Sequence, residues 1–356
     1  MREIPIFFAS NDDYIPYVSV MMQSIMENAQ NGRNYDFYIL HRNIKPESME
    51  KLQSQVSNFL GFSLSFIDMS PYVKDYNFFV SWHITIETYF RLFIPYIFPN
   101  MGKVLYLDGD MVCLADISEL FNIEISDNFI AGVSDAGLCL HYVPKHKMDK
   151  TRKILAKRFE VLLNMEKPEN YINAGMLLIN CNKFREVYTM QQIIDTITSR
   201  KWKYHDQDVI NVLAKNKTQR LHKSWNYLPD MISKRNISVY DEESSCWTYV
   251  PEIYSKYVPK EMLAEYLQAQ RQPKIIHFKP YAVWHYIQHF DEFWKYATRT
   301  PFCKEIVGQI NKDGIIGKGL EDKIYFTIRT RTGFGGIAIL KSIIAFFTRR
   351  IRLKNC

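Results

Sequence analysis

Three features of the sequence predict an α/β fold that opens as a doubly wound, nucleotide-binding type of sheet. Strand and helix patterns alternate over residues 4–68. An apolar run, "KVLYL", leads straight into the acids of "DGDMV", as a strand does when it reaches the ligand-binding rim of such a sheet. The chain has 356 residues, 47% of them hydrophobic, with no fixed-period repeat and no Gly/Ser- or Pro-rich linker. That is enough for one large core, alone or with an appendage.

Each element follows from its local pattern. "IPIFFAS" (4–10) reads as the first strand. After the polar "NDDY", Val18, Met21, Met22 and Ile25 recur at helical spacing. "YDFYIL" (35–40) is a second strand, and "KPESMEKLQSQVSNFL" starts a helix with Pro46 in its first turn. "FSLSFID" (62–68) is the third strand. GxGxxG and GxxxxGK[ST] are both absent, which excludes a dinucleotide fingerprint and a P-loop. "ITIETYFRLFIPYIF" (84–98) reads as one mainly apolar helix bearing a single arginine, Arg91. "NFIAGVSDAG" is a strand ending near Asp135. "YINAGMLLINCNKFRE" combines a tight Asn173-Ala174-Gly175 turn with an apolar strand and a helix start. "HDQDVINVLAKN" begins a helix with acids in its first turn, and "PKIIHF" is a late strand with His277 at its end.

Asp108 and Asp110 carry the chemistry of the strand end. Side chains at i and i+2 of an extended chain point the same way, so both carboxylates can converge on one ion. Gly109 between them allows close approach of a ligand or an unusual φ. Buried carboxylates are costly until something neutralises them. Hard oxygen ligands suit Mg²⁺ or Mn²⁺, and a histidine in the set tilts the choice to Mn²⁺. Such an ion keeps positions open for a diphosphate. The alternative is a pair of turn-capping acids, and "DQD" at 206–208 shows the same spacing a second time.

Six stretches stand in order along the chain: "FFASNDDYIPYVSVMMQSI", "HITIETYFRL", "KVLYLDGDMV", "YINAGMLLIN", "HDQDVIN" and "IIHF". Together they resemble the family 8 glycosyltransferases, a retaining group that includes bacterial lipopolysaccharide galactosyl- and glucosyltransferases and glycogenin. The likeness runs from about residue 4 to 285. It implies a GT-A fold, meaning a Rossmann-like mixed sheet flanked by helices, a UDP-sugar donor, and Mn²⁺ (Mg²⁺ as the alternative) held by Asp108, Asp110 and His277. It further implies a uridine-binding loop with Ala9, Asn11 and Asp13, and donor contacts from Arg91, Gly109, Asp135, Asn173 and Ala174. His83 matches an acceptor-side histidine, and Asp206 and Gln207 match a pair at the reaction centre. Without the resemblance, His277 reads as a satisfied strand histidine, the early loop as a helix cap made by Asp12 or Asp13, and Arg91 as a structural ion pair.

Retention by double displacement needs a carboxylate nucleophile beneath the anomeric carbon. Gln207, a neutral amide, stands at the matching position, so the resemblance favours a front-face route. UDP leaves, the acceptor hydroxyl enters on the same face, and the departing phosphate oxygen takes its proton. Gln207 stabilises positive charge through its carbonyl and Asp206 binds sugar hydroxyls; Asp206 as a true nucleophile is the rival mechanism. One departure from the family stands out. The usual Gly and Lys-Pro-Trp after the metal histidine are replaced by "HFKPYAVWHY", so either Lys279 makes the diphosphate contact from a shifted loop or the contact is lost.

Charge and cysteine usage narrow the setting. Eight Lys or Arg and no Asp or Glu fall in residues 323–356, so the net charge of +7 leaves the rest of the chain about neutral. This is a basic tail on a neutral body and does not suit nucleic acid. "GFGGIAILKSIIAFFTRRIRLKNC" pairs that charge with an apolar stripe and reads as a segment lying on an anionic membrane surface, or as a helix packed on the domain. The six cysteines are scattered without CxxC, which fits a reducing compartment. Neither a signal peptide nor an apolar run of roughly 18–20 residues is present. The expected organisation is a GT-A catalytic domain at 1–300 and a basic extension at 301–356. The expected function is a cytoplasmic, peripheral-membrane enzyme that moves galactose or glucose from a UDP-sugar to a glycan or lipid-linked oligosaccharide acceptor, such as the lipopolysaccharide core. Its rivals are a catalytically silent sugar-nucleotide or glycan-binding protein and a nucleotidyltransferase, which would need a basic Gly-rich loop that is absent.

Overall fold

The computed structural model describes residues 3–30, 32–81, 84–135, 153, 157, 163, 170–229, 236–241, 243–251, 256–278 and 289–312. His83, Lys279 and the basic segment 323–356 lie outside them. The opening is β1 (Ile4–Ala9), α1 (Ile15–Asn28), β2 (Tyr35–His41), α2 (Pro46–Val56) and β3 (Phe62–Asp68). Next come β4 (Lys103–Leu107), β5 (Met111–Cys113), β6 (Ile130–Ser134), β7 (Ile172–Asn180) and β8 (Thr218–Arg220). A hairpin of β9 (Asn236–Asp241) and β10 (Cys246–Pro251) precedes β11 (Ile275–His277).

Seven strands form one mixed sheet in the order β3-β2-β1-β4-β7-β6-β8. β1 to β4 are parallel, as a β-α-β-α-β opening requires, and β7 runs antiparallel between β4 and β6. Period-two alternation splits the core between the two faces. Ile6, Phe8, Leu105 and Leu107 pack under α1 with Val18, Met21, Met22 and Ile25. Phe7, Val104, Tyr106, Leu177 and Ile179 pack on the other face with Tyr89, Phe90 and Ile210.

Two expectations about local structure are corrected. Residues 84–98 are not one helix: a 3-10 helix, Ile86–Leu92, meets a short α-helix, Ile94–Ile97, with Pro95 in its first turn. A continuous α-helix would need the N–H that Pro95 lacks. Asn173, Ala174 and Gly175 do not form a turn either; all three lie inside β7. The helix Cys303–Lys312 packs on the body through Ile306 and Val307, both buried, and Tyr17 Oη donates to Gln309 Oε1 at 2.9 Å. Cys113, Cys181 and Cys303 are buried thiols. No helix among the described residues is long and apolar enough to cross a membrane.

The sheet's centre sets up the site. β4 ends at Leu107, the chain bends through 108–110, and β5 leaves the main sheet to pair antiparallel with β11. That pairing brings Met111 opposite His277 across a long sequence separation.

Candidate active site

Asp108 is placed by the β4–β7 ladder, its N–H donating to Gly175 O at 2.7 Å. Asp110 is placed by the β5–β11 ladder, its carbonyl accepting from Phe278 N at 2.8 Å. His277 Nε2 then lies 3.3 Å from Asp110 Oδ1. One ligand atom from each of Asp108, Asp110 and His277 falls within 4.8 Å of the others. The two acids converge because the chain bends between them, whereas the sequence pattern suggested side chains on one face of a strand. Gly109 also serves packing: a Cβ there would stand 2.6 Å from Val18 Cγ2 and 3.2 Å from Val18 N, so its bare backbone admits α1.

Gly175 makes the group possible. A Cβ on it would lie 2.4 Å from His277 Cε1 and 2.9 Å from both His277 Nδ1 and Asp108 Oδ2. The side chains therefore rest directly against bare backbone. Two carboxylates and an imidazole nitrogen in this space fit a divalent cation of the Mg²⁺ or Mn²⁺ kind. Burial disfavours the charged form of His277, but the Asp110 carboxylate outweighs it and holds the imidazole above its ordinary pKa.

Arg91 joins this group to the rest of the site. Its guanidinium is buried and stacks over the Tyr106 ring at 4.0 Å. Nη2 meets Asp108 Oδ1 at 3.0 Å, Nε meets Asp206 Oδ2 at 3.0 Å, and Nη1 donates to Ala174 O. Burial opposes the arginine's charge, yet Asp108 and Asp206 more than compensate and raise its pKa. Tyr106 Oη also donates to Asp108 Oδ1, at 3.1 Å. Asp206 accepts from Thr88 Oγ1 on the Arg91 helix. Burial still pushes Asp206 up to about 6, against the pull of Arg91 and Thr88.

The helix His205–Leu213 presents the third part. His205 holds a left-handed backbone, φ 44°, which costs a non-glycine residue on the order of 1–3 kcal/mol. Its ring lies 3.0 Å from Ser81 Oγ and stacks on Phe79, which keeps it there. Asn211 pins the helix to β7 by accepting from Ile172 N at 2.7 Å and donating to Ile172 O at 2.8 Å. Gln207 consequently sits over β7: its Oε1 accepts from Ala174 N at 3.0 Å and Asn173 Nδ2 at 3.2 Å. Asp135 Oδ2 accepts from Gln207 Nε2 at 3.2 Å and Asn173 Nδ2 at 3.0 Å. Asn226 closes the circle, donating to Asn173 Oδ1 at 2.9 Å and lying 3.0 Å from His277 Nδ1.

Nine residues named from the sequence thus fall into one connected network: Arg91, Asp108, Asp110, Asp135, Asn173, Ala174, Asp206, Gln207 and His277. The early loop follows β1 beside them. Ala9 ends that strand, Asn11 caps the 3-10 turn Asp12–Tyr14 by accepting from Tyr14 N, and Asp13 is exposed. The cap is therefore neither Asp12 nor Asp13; Asp12 instead pairs with Lys45 Nζ at 2.9 Å. Sequence reasoning missed Thr88, Tyr106 and Asn226. Tyr106 precedes Asp108 by two and Thr88 precedes Arg91 by three, so strand and helix periodicity carried a signal for both. Asn226 carried none.

A family model described as Glycosyl transferase family 8 matches residues 5–288. A lipopolysaccharide 1,2-glucosyltransferase of Escherichia coli is 23% identical over 254 residues, which is 70% of this chain and 66% of that enzyme. Among solved structures, the apo bifunctional glycosyltransferase WbbM matches with a TM-score of 0.66 at 22% identity, over 85% of this chain and 51% of its own. The galactosyltransferase LgtC, solved with donor and acceptor sugar analogues, matches with a TM-score of 0.59 at 18% identity, over 84% of this chain and 96% of its own. These likenesses show a GT-A fold, and the mixed sheet with its flanking helices matches it. With the family model spanning the sheet and every part of the network above, the chain belongs to glycosyl transferase family 8.

Proposed function

We propose that the protein is a metal-dependent, retaining hexosyltransferase that moves galactose or glucose from a UDP-sugar to a bacterial surface glycan such as the lipopolysaccharide core. The observation that carries this reading is the Asp108-Asp110-His277 group, joined through Arg91 to Asp206 and through Asn226 and Asn173 to Gln207. Mn²⁺ suits the mixed oxygen and nitrogen donors. When bound, it would offset charge on a diphosphate leaving group. Arg91, already neutralised by two carboxylates, orients Asp108 for the metal and Asp206 for the sugar. Asp135 and Asn173 offer acceptor and donor atoms to sugar hydroxyls. Gln207 is a neutral amide fixed by the Ala174 N–H, which favours front-face transfer over a covalent intermediate. By resemblance, Ala9, Asn11 and Asp13 take the uridine, Gly109 the donor's close approach, His83 the acceptor and Lys279 the diphosphate.

The same reading puts the enzyme on the inner face of the cytoplasmic membrane, with residues 1–300 as the catalytic domain and 301–356 as a basic extension whose segment 323–356 lies on anionic lipid. The composition of that segment alone supports this part. A donor screen tests the function: UDP-Glc, UDP-Gal, UDP-GlcNAc and UDP-GalNAc are supplied with Mn²⁺ or with EDTA, and released UDP is measured. Release from UDP-Glc or UDP-Gal with Mn²⁺ alone is the expected result. Donor binding without release from any of the four supports a silent binding protein instead.

A further inference from the structure

We propose that Asn226 is a positioning residue that holds His277 as the Nδ1–H tautomer and so turns the Nε2 lone pair toward the metal group. The inference rests on the metal-centre reading above. Amide orientation is fixed here by backbone groups whose polarity has only one choice. The Gly175 N–H can only donate, so the Asn173 atom it meets at 3.0 Å is Oδ1. That same oxygen receives Asn226 at 2.9 Å, so the Asn226 atom is the donor Nδ2. Asn226 Oδ1 then faces His277 Nδ1 at 3.0 Å, and a hydrogen bond forms there only if Nδ1 carries the proton.

The other end of the chain of bonds agrees. The Ala174 N–H donates to Gln207 Oε1 at 3.0 Å, which leaves Gln207 Nε2 for Asp135 Oδ2. Asn173 Nδ2 completes the set by donating to Asp135 and Gln207. Every amide has one orientation that satisfies all its neighbours, and that orientation places the free nitrogen of His277 3.3 Å from Asp110 Oδ1. Asn226 is also held rigidly to the strand that carries His277. It is 1% exposed, Tyr227 N donates to Ile275 O at 2.9 Å, and His277 N donates to Tyr227 O at 2.8 Å. An oxygen at this position is thus a fixed feature of the imidazole's surroundings, of the kind that sets ligand tautomer and basicity.

The test is a Mn²⁺ titration of the nucleotide-free, full-length protein by electron paramagnetic resonance, with thermal unfolding followed in parallel. Asn226→Ala removes the oxygen and should weaken Mn²⁺ binding about 10- to 100-fold, while Asn226→Asp keeps it and should stay within about threefold of wild type or bind more tightly. A purely structural role would let both variants fall together. Wild-type affinity in Asn226→Ala, or equal loss in both variants, overturns the inference. If Asn226→Ala does not fold, Asn226→Asp decides: retained Mn²⁺ binding supports the inference and loss in a folded protein overturns it. Wild-type protein that binds no Mn²⁺ overturns the metal reading as well as this one.

Discussion

The chain carries two Asp-x-Asp sequences, and the fold uses them in opposite ways. In Asp108-Gly109-Asp110 the backbone bends between two strands and both carboxylates turn toward His277. In Asp206-Gln207-Asp208 the same spacing falls in the first turn of a helix, where residues two apart face different directions. Asp206 turns to Arg91, while Asp208, wholly buried, accepts from Tyr171 Oη at 2.6 Å and Tyr204 N at 2.9 Å. The middle residues differ as sharply. Gly109 has no room for a side chain beside Val18, whereas Gln207 acts through its side chain. Spacing of two acids therefore decides nothing by itself. The backbone conformation decides, and partners far along the chain choose it: β11 for the first pair, Ile172 for the second.

The largest effect expected from this contrast is at Asp110. Asp110→Ala should abolish metal-dependent UDP binding, a loss of at least about 100-fold in a calorimetric titration with Mn²⁺, in a protein that still folds. Unchanged affinity would break the distinction between the two pairs. Gly175→Ala comes next. Its added Cβ meets His277 and Asp108 Oδ2 well inside contact distance, so Mn²⁺ affinity should fall about 10-fold or more without loss of a ligand. Asp208→Asn should do the reverse. It leaves Mn²⁺ affinity near wild type and lowers stability by about 1–3 kcal/mol in urea unfolding, because two buried bonds to a charged carboxylate become weaker bonds to a neutral amide.

The smallest effect is a shift with pH. Asp206 is raised from 3.8 to about 6 by burial, so the folded protein binds its proton more tightly than the unfolded chain does. Stability from this group is complete below pH 4 and is lost as pH rises through about 6. Activity that needs the carboxylate runs the other way, rising through the same window. Thr88→Val removes a bond that favours the ionised form, so the acid limb of kcat/KM should move upward; an unmoved limb would detach Asp206 from the rate.

The sheet's first half was readable because its signals are local. Val18, Met21, Met22 and Ile25 mark α1 by spacing, and Pro46 marks the start of α2. Local signals also misled. Gly175 punctuates a turn by the usual rule, yet it lies in β7 beside β4, and its bare backbone is what His277, roughly 100 positions along, rests on. The apolar run at 84–98 looks continuous until Pro95 is set against the helix ladder. Of the network, the acids, amides and arginine beside apolar runs in the quoted stretches were conspicuous, whereas Thr88 and Tyr106 of the same stretches were passed over. Asn226 was not conspicuous, because one buried asparagine in "SWNYL" has nothing in its neighbourhood to mark it, and its partners Asn173 and His277 lie about 50 residues away on either side.

The most direct test of the metal centre is anomalous diffraction at the manganese edge from crystals soaked with Mn²⁺ and UDP. One anomalous peak should appear within bonding distance of Asp108, Asp110 and His277, touching the diphosphate, and none at Asp206 or Asp208. Bound UDP with no manganese among those three side chains, or with manganese held at the second acidic pair, would overturn the metal centre described above.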